Sequence, residues 1–143
     1  MTIQKKMTAI ALSLLVLGGT MVSTFAYTYV SGTKYQTVTH KDIPAWGEEH
    51  FDTNYGSKKT MTSQIATFKK THGDAALGNY AGLITSTKSP VSGIEGIPLN
   101  YAILVSEYGC KKGTVYFTAV ASHSFEPSNS CDVTLKFSAD DLL

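Results

Sequence analysis

Residues 101–137 read YAILVSEYGCKKGTVYFTAVASHSFEPSNSCDVTLKF, a stretch that holds three alternating apolar runs and both cysteines of the chain. Successive side chains of a strand point to opposite faces. In Tyr101 to Ser106 this puts Tyr101, Ile103 and Val105 on one face and Ala102, Leu104 and Ser106 on the other. Both faces are apolar, which predicts a strand inside a sheet covered on each side. Thr114 to Ala121 divides the same way, Val115, Phe117 and Ala119 against Tyr116, Thr118 and Val120, and reads as a second central strand. Asp132 to Ser138 alternates more cleanly. Its Val133, Leu135 and Phe137 face inward and its Asp132, Thr134, Lys136 and Ser138 face water, so it covers a core on one side.

Gly109-Cys110-Lys111-Lys112-Gly113 between the first two runs reads as a short hairpin, with glycine where a positive φ is needed. Glu126-Pro127-Ser128-Asn129-Ser130 supplies turn chemistry before the third. In a plain meander the middle strand would hold Cys110 and Cys131 roughly 26 Å apart at ~3.3 Å per residue. A disulfide needs Cα atoms within about 7 Å. The meander and the bridge therefore exclude each other. Two cysteines in an exported chain favour the Cys110–Cys131 bridge, which would stabilise the fold by roughly 3 kcal/mol. That pairing requires the third strand to run antiparallel to the first, beside it or in a facing sheet.

Export is read from the first residues. Lys5 and Lys6 precede the apolar Met7 to Leu17, and Thr24 and Ala26 stand at the spacing of a cleavage site. Residues 1–26 are expected to be a bacterial secretory signal peptide, helical and cut after Ala26, and residues 27–143 a single secreted β domain. Gly18, Gly19, Thr20, Ser23 and Thr24 make the segment a poor membrane span, and the mature form is expected to have none. The chain carries a net charge of +1, and all its basic residues are lysines. With no block of one sign and no bidentate arginine fork, the sequence makes no case for nucleic acid.

Tyr27 to Val30 and Lys34 to Thr39 read as two short strands, or one interrupted edge strand, around a Ser31-Gly32 break. From His40 to Ser57 the pattern is lost, and a loop pinned by Trp46 is expected. Thr60 to Lys70 reads as a strand. Asp74 to Leu77 reads as at most one turn of helix, and Tyr80 to Thr87 as a strand after it. The expected architecture is all-β, an antiparallel β-sandwich of about six or seven strands.

Chemistry has few candidates. Glu48, His50 and Asp52 alternate, so an extended backbone would bring all three to one face, with His40 nearby in sequence, as weak candidates for a divalent metal. No Gly-x-Ser-x-Gly elbow, Cys-x-x-Cys pair or glycine-rich phosphate loop occurs. The expectation is a protein that is not an enzyme and takes no cofactor. Tyr35, Trp46, Phe51 and Tyr55 form a candidate binding surface, since aromatic faces stack on sugars and anchor protein contacts.

The sequence therefore predicts a secreted, non-catalytic extracellular or cell-surface interaction protein, whose partner is a cell-surface, glycan or protein ligand. A metal-dependent extracellular enzyme built on Glu48, His50 and Asp52 is one alternative. The segment Trp46 to Thr62 is distantly similar to the Tyr/Lys/Thr-rich segment of lactococcin-972-type bacteriocins, without their glycine-rich start. That resemblance implies a second alternative, a small secreted bacteriocin-like effector, and it carries over no site residue.

Overall fold

A computed structural model describes residues 7–11, 25–127 and 131–143. Among the described residues the chain forms strands and no helix: β1 (Met7–Ala11), β2 (Phe25–Ser31), β3 (Gln36–Ile43), β4 (Glu49–Lys58), β5 (Ile65–Gly73), β6 (Asn79–Ile84), β7 (Glu95–Gly96), β8 (Ala102–Ser106), β9 (Val115–Ser122) and β10 (Cys131–Ser138). They make two sheets, in the orders β1-β2-β4-β9-β6-β7 and β3-β10-β5-β8. The pairings are antiparallel except β2 with β4, which run parallel from Thr28↔Tyr55 to Ser31↔Lys58. A parallel pair needs a crossover. Here β3, which belongs to the second sheet, makes it.

One apolar cluster takes side chains from both sheets: Val38, Phe68, Val105, Val133, Leu135 and Phe137 from the second, and Ala81, Leu83, Tyr116 and Val120 from the first. Strand β9 shows why its two apolar faces could be read correctly. Tyr116 and Val120 enter the shared core, whereas Phe117 and Ala119 join a smaller cluster with Ile84, against which Tyr27, Phe51 and Val115 pack. β10 buries Val133, Leu135 and Phe137 and leaves Lys136 exposed, as its alternation requires, but Ser138, expected to face water, is buried with its hydroxyl donating to Gly32 C=O.

Several expectations give way. Strand β8 is an edge strand, and Leu104, on the face it shares with Ala102 and Ser106, stands 46% exposed. Its second apolar face meets water instead of another layer. Residues 109–113 do not close a hairpin, because β8 and β9 belong to different sheets; the segment crosses between them with Gly109 and Gly113 both at positive φ. The expected loop from His40 to Ser57 contains the end of β3 and nearly all of β4. β4 is polar, yet it is held on both sides by β2 and β9, with an irregularity between Asp52 and Ser57. At Gly56 a Cβ would stand 2.4 Å from Val115 Cγ1. Asp74 to Leu77, read as at most one turn of helix, ends in a hydrogen-bonded turn with Gly78 N–H donating to Ala75 C=O.

Cys110 and Cys131 are both buried and are not bonded to each other. β8 and β10 each run antiparallel to the β5 strand between them, so they run parallel to one another. Cys110 follows the end of β8, where β5 starts, and Cys131 opens β10, where β5 ends. A strand of that length separates them by roughly 26 Å. The topology thus escapes the meander that the bridge excluded without bringing the thiols together. Most of the expected leader helix lies outside the described residues. Met7–Ala11 is extended and pairs with β2 from Met7↔Tyr29 to Ala11↔Phe25, since an open sheet edge supplies backbone partners that a short apolar run can take instead of its own. No helix among the described residues is long and apolar enough to cross a membrane.

Candidate functional site

The chain turns sharply after β2, with Lys34 N–H donating to Ser31 C=O at 3.0 Å. This turn brings Lys34 and Tyr35 over the neighbouring ends of β2, β3, β4 and β10. Gln36 anchors the corner: its buried Nε2 donates to Gly56 C=O at 3.1 Å, and its Oε1 accepts from Thr37 N–H. The result is a concavity of about 520 Å³ lined by Val30, Lys34, Tyr35, Gln36, Thr37, Tyr55 and Lys136. Two phenol rings, two ammonium groups and an amide meet there, and its lining includes no acidic side chain among the described residues. Burial raises the Tyr35 hydroxyl above the ordinary tyrosine range.

Of the four aromatic residues singled out in the sequence, the groove gathers Tyr35 and Tyr55. Phe51 lies on the outer face of the first sheet, where Lys88 Nζ sits 5.7 Å from its ring centre. Trp46 stands 64% exposed on the loop between β3 and β4, at φ 63°, and its N–H donates to Glu126 C=O. It pins no core. Alternation gave no sign of this division: Phe51 and Tyr55 share β4 at an even spacing, and the irregularity between Asp52 and Ser57 separates them.

The Glu48, His50 and Asp52 constellation is partly dispersed. Asp52 Oδ1 accepts from the N–H groups of Asn54 and Tyr55 at 3.0 Å each, which shapes the β4 irregularity, and Glu48 is exposed. His50 instead meets His40, with the two Nδ1 atoms 2.9 Å apart, and His40 Nε2 lies 2.8 Å from Thr118 Oγ1. His40 is wholly buried. Burial first, and then the charge of His50, lowers its pKa to about 3, so it is neutral at physiological pH. Thr118 is equally inaccessible, whereas His50 at the other end of this chain of hydrogen bonds is half-buried. Among the described residues no three His, Cys, Asp or Glu side chains converge as a metal site.

Another constellation escaped the sequence reading altogether. Lys59, Glu107 and Asp140 follow the ends of β4, β8 and β10, and their side chains are wholly buried. Lys59 Nζ donates to Ala139 C=O at 2.6 Å and lies 2.8 Å from Glu107 Oε2 and 3.6 Å from Asp140 Oδ1. The Lys59 ammonium and the Cys110 thiol are the polar partners of Glu107, and no backbone N–H donates to its oxygens among the described residues. The neighbouring Cys110 thiol is pushed up to about 12 by burial and then by the Glu107 charge, and it remains a thiol.

No family model matches the chain, and no curated protein matches it either. The bacteriocin likeness of Trp46 to Thr62 therefore stays a likeness of those residues alone.

Proposed function

We propose that the protein is exported through a leader cut after Ala26 and that residues 27–143 act as a β-sandwich binding module without catalysis. The observation that carries this reading is the Tyr35–Tyr55 groove. Its flat aromatic faces suit sugar rings, and the ammonium groups of Lys34 and Lys136 suit negative charge. The class of ligand it favours is an acidic glycan of a cell surface. The groove's composition supports ligand binding, whereas Glu48, His50 and Asp52 do not converge and Asp52 Oδ1 accepts from two backbone N–H groups.

The test is binding of purified residues 27–143 to washed cell walls and to an array of neutral and acidic glycans. Retention on acidic polymers, weakened by added salt, is expected because exposed charges are screened. Tyr35→Ala and Tyr55→Ala should each weaken it by about tenfold or more, the size of a loss of roughly 1.4 kcal/mol at an aromatic anchor. Unchanged affinity in both variants, with the fold intact by circular dichroism, would refute the groove as the site.

A further inference from the structure

Two buried carboxylates, Glu107 and Asp140, close on one buried ammonium, Lys59 Nζ. Such a set leaves a negative charge uncompensated in a medium that solvates it poorly. We propose that Lys59 and Asp140 are the two halves of an intramolecular amide cross-link, formed when Nζ condenses with Asp140 Cγ and one water is expelled, with Glu107 carrying the protons.

Each part of that chemistry has a group in place. Nζ stands 3.6 Å from Asp140 Oδ1; Cγ, the carbon it must reach, is bonded to that oxygen, and reaction asks that nitrogen and carbon come within about 3–3.5 Å. The Asp140 carboxyl cannot turn away. Its Oδ1 accepts from Thr60 N–H at 3.1 Å and Met61 N–H at 3.0 Å, and its Oδ2 from the N–H and hydroxyl of Thr60 at 3.0 and 2.5 Å. Gly32 backs it so closely that a Cβ there would lie 2.2 Å from Oδ2. The two main-chain N–H groups on Oδ1 hold the oxygen on which negative charge builds as nitrogen adds to the carbon.

Glu107 differs in the respect that matters. Its oxygens receive no backbone N–H, unlike those of Asp140, so it is poorly built to become a tetrahedral oxyanion, yet Oε2 touches Nζ at 2.8 Å. Burial raises its carboxyl above the ordinary range, so it can hold a proton between transfers. The sequence of transfers balances. Glu107 takes a proton from the Lys59 ammonium and passes it to the Asp140 carboxylate, which leaves a neutral amine beside a neutral acid. The Nζ lone pair adds to Cγ and the C–N bond forms. Glu107 then moves a second proton from nitrogen to a hydroxyl on Cγ, the C–O bond breaks and water departs. One ammonium and one carboxylate become one neutral amide and one water, and nothing is oxidised or reduced. The link braces the end of β4 in the first sheet to the end of β10 in the second, and it depends on neither the groove nor export.

Intact-mass measurement of the purified, denatured protein tests this, with tandem mass spectrometry of its digest. The expected wild type is lighter than its sequence by one water, yields a branched peptide joining the Lys59 and Asp140 segments, and leaves Lys59 unreactive to an amine-acylating reagent after denaturation. Glu107→Gln, which keeps the side chain's size, should give full mass with Lys59 acylated. A wild type of full mass with Lys59 acylated would overturn the cross-link. So would a lost water that maps to a cyclic imide at Asp140 or Asp141 while Lys59 still reacts. A Glu107→Gln protein linked as completely as wild type would overturn the role of Glu107. Should that variant not fold, the wild-type measurement decides by itself.

Discussion

His40 is a residue whose environment reverses its ordinary behaviour. In an unfolded chain it titrates near pH 6.5, whereas in the fold burial holds its pKa to about 3. Between those values the unfolded state binds the proton and the folded state does not, so stability rises with pH across the window. It is fully present above about pH 6.5 and is lost as pH falls toward 3, with a slope of up to about 1.4 kcal/mol per pH unit. Urea unfolding at a series of pH values should show this loss, and His40→Gln should flatten it. An unchanged slope in that variant would contradict the assignment. Little of this could be read from the sequence. His40 and His50 were noticed as neighbours in the chain, but their contact depends on β3 and β4 lying in facing sheets. Lys59 was less legible still. Its place beside Lys58 suggests a solvated pair, yet only Lys58 keeps partial access to water.

At the level of the strands, the sequence was informative wherever two-residue periodicity met an unambiguous environment. β9 and β10 were legible from Val115, Phe117, Val133, Leu135 and Phe137 because burial on particular faces is what alternation records. Alternation does not record a strand's neighbours. Tyr101 to Ser106 carries apolar residues on both faces and still lies at an edge, and polar β4 is a strand because β2 and β9 flank it. The cysteines illustrate the same limit, since which end of a sheet each occupies follows from pairing order and not from spacing. Cys110 and Cys131 should accordingly react with a thiol reagent on unfolding without prior reduction, and slowly in the native state, where both are buried. A denatured chain with no reactive thiol would show that the two had paired.

For the whole molecule, processing acts on the edge of the first sheet and leaves the groove in place. Removal of residues 1–26 would take away β1 and leave β2 as the sheet's edge, with the parallel ladder to β4 intact. N-terminal sequencing of the exported product should therefore begin at Tyr27, and a secreted chain retaining Met7 to Ala11 would refute cleavage. The groove survives either way, because β2 contributes only Val30 to it. Amide hydrogen exchange of residues 27–143, with and without washed cell walls, tests the central claim most directly. The account predicts slowed exchange at Tyr35 to Thr37 and around Tyr55, with none at Trp46. Protection confined to the Trp46 loop or to the Phe51 face, with the groove unaffected, would contradict it.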